Sequence, residues 1–106
     1  MEQDKKKYLH VYAHAEEVGD AFLDMVLKES EKSAFDPKMH ELAYLAVLVA
    51  VGLEQGIIMH TKEAKKLGAT REEIKSAALV ALPAVGFPAI MGLKTALDSY
   101  DKENII

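Results

Sequence analysis

One stretch limits what this chain can become. From Glu41 the sequence reads ELAYLAVLVAVGLEQGIIMHTKEAKKLG, and Leu42–Leu53 is apolar almost without interruption. It lacks the polar–apolar alternation of a half-exposed strand, and the following segments show the three- and four-residue steps of helices. A helix apolar on nearly every side must be covered all round. At about a dozen residues, this one is too short to span a bilayer, which needs roughly 20. It must therefore be buried in protein.

The flanking segments also read as helices. Tyr8 to about Lys32 places Val11, Ala15, Val18, Phe22 and Met25 on one face, with Gly19 as a point where the helix breaks or kinks. Asp36-Pro37 is a start signal: the carboxylate accepts from first-turn N–H groups, and proline fits the first helical position. That helix runs to about Gly52, and Gly52–Gly56 forms a tight junction. A third helix follows to about Leu67, with Ile57, His60, Ala64 and Leu67 as its apolar stripe and Lys62, Glu63, Lys65 and Lys66 toward water. Lys65, Lys66 and Gly68 suit a helix C-terminus. Thr70-Arg71-Glu72-Glu73 has the form of a capping box and opens a fourth helix, apolar through Ala77–Leu82. Pro83 and Pro88 interrupt, and Pro88 opens a fifth helix to about Tyr100 with Ile90, Leu93, Thr95 and Leu97 as its apolar side. Gly86 and Gly92 are candidates for close helix approach.

The expectation is an all-α domain of five to six helices over residues 1–106, with 1–20 as an N-terminal helical extension. Two nearly all-apolar helices, Leu42–Leu53 and Ser76–Leu82 with its continuation, present more apolar surface than three amphipathic helices cover. A homo-oligomer is the expected state, with a tightly wrapped monomer as the alternative. The net charge of −4 argues against nucleic acid, and Lys5-Lys6-Lys7 reads as a solvated run. No apolar segment follows the N-terminal charges as in a signal peptide, so a cytoplasmic protein without membrane contact is expected. The sequence has no cysteine, which removes disulfides, thiolate metal sites and thiol nucleophiles.

Four histidines remain to be weighed. His60 sits on an apolar stripe, where an imidazole acts as a proton shuttle or serves as a core histidine bonded to a carbonyl. Glu41 lies nineteen residues earlier. If the two helices fold back on each other, its carboxylate meets the imidazole and orients it; otherwise it complements the helix dipole. Tyr44, one turn after Glu41, lines the same space or is an ordinary core tyrosine. His10 and His14, four apart with Glu17 one turn on, read as a metal-binding face or a polar surface. His40, beside Asp36, reads as structural. Nothing in the sequence calls for a cofactor.

Three segments, FDPKMHELAYLAVLVA, MHTKEAKKLGATREEI and GFPAIMGL, resemble the carboxymuconolactone decarboxylase family, which includes alkylhydroperoxidase D-like proteins. The resemblance runs over Ala21–Leu97. It implies a small all-α chain assembling as a trimer or as a hexamer built from dimers. In the peroxidase branch a Cys-x-x-Cys precedes the histidine. Leu53 and Gly56 stand at those positions, and Gln55 stands where a relay histidine would be. Glu41 and His60 match the relay glutamate and histidine. In the decarboxylase branch a second histidine and a tyrosine follow in the next helix; Val80 and Ala84 occupy those places. The resemblance therefore implies a lyase-like or metabolite-binding protein, with His60 and Glu41 as catalytic candidates, Tyr44, Leu53, Gly56 and Phe87 around the substrate, no metal and no thiol peroxidase activity. A non-catalytic oligomeric binding module, or a peroxide-detoxifying role in the family's wider sense, is the alternative.

Overall fold

The computed structural model describes residues 11–102, and those residues are helical with no strand among them. The chain divides into two compact units, one ending at Ala34 and the other beginning at Phe35. His10 and Lys5-Lys6-Lys7 lie outside the described residues.

The first unit contains a 3-10 turn, Ala13–Ala15, and helix α1, Glu16–Lys32, which runs unbroken across residue 20. Gly19 was expected to break or kink the helix. The break comes instead at Glu16, whose φ is +54°. Gly19 has a different task. A Cβ there would stand 2.6 Å from the Tyr12 carbonyl oxygen, so only glycine lets the preceding turn fold back on α1. The tyrosine ring also meets Phe22, at 5.9 Å between centroids. The expected face is not a buried stripe: Val11, Ala15, Val18, Phe22 and Met25 are all exposed.

The second unit packs five helices: α2 Pro37–Val51, α3 Glu54–Lys66, α4 Arg71–Leu79, the short α5 Leu82–Val85 and α6 Phe87–Lys102. The start of α2 follows from chemistry: Asp36 accepts from the Met39 N–H at 2.8 Å, with Pro37 at the first position. The end follows too. Gly52 takes φ +76°, the Leu53 N–H reaches the Leu48 carbonyl and the Gly52 N–H that of Val49, which is a Schellman closure. The junction is therefore only Gly52 and Leu53, shorter than expected, and Gly56 lies inside α3. The same closure ends α3: Gly68 has φ +96°, and Ala69 donates to Ala64. The capping box of α4 is complete, with Glu73 N–H on the Thr70 hydroxyl at 3.1 Å and Thr70 N–H on the Glu73 carboxylate at 2.9 Å.

The core gathers Leu42, Leu45, Leu48 and Val49 of α2 with Ile57 and Ala64 of α3, Ile74 and Ala78 of α4, and Ala89 and Ala96 of α6. The α6 face differs from expectation. Its buried residues are Ala89, Gly92, Ala96 and Ser99, while Ile90 is exposed and Leu93 and Leu97 are only partly covered. Small residues win this face because α6 lies very close to α2: a Cβ on Gly92 would come within 2.7 Å of Val49 Cγ1. Gly86 instead takes φ +72° with open space around it, so its role is conformational. Leu67, just past α3, is exposed, and Lys62, Glu63 and Lys65 on α3 are half-buried instead of facing water. Lys65 donates to the Tyr100 carbonyl at 2.7 Å and sits 4.2 Å above its ring. Tyr100 donates to Ala69, Ser99 to Ile58, and Arg71 grips Asp101 through two nitrogens. The C-terminal half of α6 is thereby tied to α3 and α4.

Candidate functional site

The hairpin of α2 and α3 decides which polar groups meet. Turning at Gly52 and Leu53, it brings the first turns of α2 alongside the later turns of α3. Glu41 Oε1 then lies 2.7 Å from His60 Nδ1. The side chains are 17% and 21% exposed, so water reaches the pair without surrounding it. An ionised carboxylate only accepts, so at this distance the imidazole proton belongs on Nδ1. That choice leaves Nε2 as the ring's basic nitrogen. Tyr44, one turn after Glu41, sets its ring at 90° to the imidazole with 4.7 Å between centroids. This edge-to-face contact restrains the imidazole's orientation from a second side.

The other candidates fall elsewhere. Gly56 is one turn before His60, and a Cβ there would stand 3.0 Å from Leu48 Cδ2. Leu53 projects from the junction, 56% exposed, and Phe87 begins α6, 69% exposed. Neither is held against the imidazole by any described contact. A groove of about 290 Å³ opens on this unit between α2, α3 and α6, lined mainly by apolar groups. It is bounded by Val49, Ile57, Met91 and Gly92 and includes none of Glu41, Tyr44 or His60. The sequence reading missed this groove. No local signal marks it, because its lining comes from three helices that meet only on packing.

Among the described residues, no group of three or more histidine, aspartate or glutamate side chains is arranged to hold a metal ion. His14 and Glu17 are exposed, and His40 donates its backbone N–H to the Asp36 carbonyl. No helix among the described residues is long and apolar enough to cross a membrane.

An all-α chain with a helical hairpin presenting a carboxylate–imidazole pair is the class that fold and site define. The sequence model of the carboxymuconolactone decarboxylase family matches residues 16–99, and the chain belongs to that family. In structure it is similar to the apo crystal structure of lpg0406, a carboxymuconolactone decarboxylase family protein from Legionella pneumophila. The TM-score is 0.79 at 25% identity, covering 95% of this chain and 90% of that one. No curated protein matches it by sequence.

Proposed function

We propose that this chain performs acid–base chemistry on a small, largely apolar or carbonyl-bearing metabolite, in the manner of a lyase. His60 exchanges the proton at Nε2, and Glu41 holds the ring through Nδ1. The 2.7 Å contact carries the reading. Such a pair keeps one tautomer in place and stabilises the imidazolium formed when a proton is taken up. Tyr44 borders the same space. Thiol peroxidase chemistry has no residue to run on, because the sequence contains no cysteine. Self-association belongs to the same reading: Tyr44, Val47, Val51, Phe87 and Met91 leave much apolar surface in water on a single copy.

The experiment has two arms. Nitrogen-15 spectra of His60 are expected to place the neutral proton on Nδ1; a proton on Nε2 would overturn the orienting role of Glu41. A panel of lactones and 2-oxo and 3-oxo acids is then followed by ultraviolet absorbance and carbon dioxide release. His60→Ala is expected to reduce turnover by about 10²-fold or more. Turnover that survives the substitution sinks the catalytic reading, and unchanged absorbance of carboxymuconolactone removes that substrate.

A non-catalytic binding module is the second reading, favoured by the groove, which does not reach the imidazole. It predicts that His60→Ala lowers the melting temperature while no panel compound is consumed by either protein.

A further inference from the structure

We propose that Gly56 is a positioning residue for the Glu41–His60 pair: its bare backbone lets Leu48 rest on α3 and sets the helix spacing at which the carboxylate reaches the imidazole. This deepens the acid–base reading above and rests on it. Gly56 lies inside α3 and does not share the positive φ of Gly52, Gly68 and Gly86. No turn requires a glycine there, and within a helix glycine is less stable than alanine. What requires it is Leu48. A Cβ on Gly56 would stand 3.0, 3.5 and 3.7 Å from Leu48 Cδ2, Cδ1 and Cγ. The first is closer than the roughly 3.5–4.0 Å of an ordinary carbon–carbon contact. Leu48 is 2% exposed, so its core neighbours oppose a retreat.

That contact lies in line with the pair. Leu48 comes two turns after Glu41 on α2, and Gly56 one turn before His60 on α3, so the hairpin puts both contacts on one seam. The Leu48 carbonyl also accepts the Gly52 and Leu53 N–H groups, at 2.9 and 3.1 Å, which fixes Leu48 where the chain turns. One turn of helix, about 5.4 Å, separates Gly56 from His60, too short a length to absorb a displacement by gentle bending. A side chain at position 56 would push α3 off α2 by a few tenths of an ångström. The Glu41–His60 bond, at 2.7 Å, would lengthen and tilt with it, and a hydrogen bond weakens steeply as it loses its geometry. Gly56 thus acts on the imidazole through Leu48, without touching the proton or its acceptor.

The test reads the His60 ring in the full chain by nitrogen-15 and proton spectra, with circular dichroism and melting temperature alongside. In the wild-type protein the Nδ1 proton is expected to be hydrogen-bonded and protected from exchange with water. Gly56→Ala is expected to speed that exchange about 10-fold or more. Helix content should hold, because alanine favours the helix. Adding Leu48→Val withdraws the methyl that the new Cβ meets, and is expected to restore the protection. Gly92→Ala crowds a different helix pair, at 2.7 Å from Val49 Cγ1, and is expected to lower the melting temperature while the His60 signals stay in place. A wild-type ring with its proton on Nε2 would overturn the orienting role of Glu41 and this inference together. A wild-type proton on Nδ1 whose exchange Gly56→Ala leaves unchanged would overturn this inference alone. So would an equal loss of protection in Gly92→Ala, or a failure of Leu48→Val to restore it.

Discussion

Helix α2 has two faces that the sequence hardly distinguishes. Leu42, Leu45, Leu48 and Val49 are buried; Tyr44, Val47 and Val51, from the same apolar run, are exposed. Burial, not residue type, separates the face that holds the fold from the face that is left available. The difference also explains where the candidate chemistry sits. Glu41 and Tyr44 stand at the seam between the two faces, partly dry and partly wet, where an imidazole gains an oriented partner without losing access to solvent.

Substitutions across that seam test the contrast. Leu45 is fully buried, and Leu45→Ala is expected to cost about 3 kcal/mol of unfolding free energy, read by urea denaturation. Val47, 53% exposed on the opposite face, should change stability by no more than about 0.5 kcal/mol when replaced by alanine in dilute solution. A loss at Val47 comparable to that at Leu45 would show both faces covered, and the contrast would fail.

A smaller effect concerns the polar atom that shares the inner side. The Thr61 hydroxyl is fully buried in α3 without a hydrogen-bond partner. Thr61→Val keeps the shape and removes the stranded group, so stability should rise by about 1 kcal/mol, seen as a higher melting temperature. A fall would mean that the hydroxyl has a partner in solution.

The smallest effect lies in the exposed carboxylates at the start of α4 and the end of α6. Glu73 titrates below its ordinary 4.5, first because the Thr70 backbone N–H donates to it and then because Lys38 does. Asp101 titrates below 3.8, chiefly through its hydrogen bond from Arg71. A carboxylate lowered on folding stabilises the native state above its unfolded pKa, and that contribution is lost as pH falls through the lower folded value. Melting temperature should therefore begin to drop below about pH 4.5 and continue down through the folded values of both groups. Glu73→Gln should narrow its gap from wild type as the pH falls from about 6 to about 2. A gap that persists at the acid end would assign the loss to the cap geometry alone.

Much of the fold was legible because helix ends are local chemistry. Asp36-Pro37, Gly52, Gly68 and the Thr70–Glu73 box each act within a few residues, and each marks an observed helix boundary. Faces were less legible. Leu67 and Ile90 fit an apolar stripe by spacing, yet both are exposed, because the neighbouring helix reaches only part of each stripe. On α6 the buried face went to alanine and glycine, since the closeness of Val49 left no room for larger side chains. The Glu41–His60 distance was conditional in the same way: nineteen residues of spacing permit the contact, and only a hairpin makes it.

The sequence by itself determined that the chain is helical, where most of its helices begin and end, and that no cysteine chemistry is open to it. Those properties depend on residue identity and on bonds between near neighbours. Which side of each helix is dry, how close α6 comes to α2, and whether a carboxylate meets an imidazole were decided only when the helices packed, because those outcomes depend on distances between residues far apart in the chain.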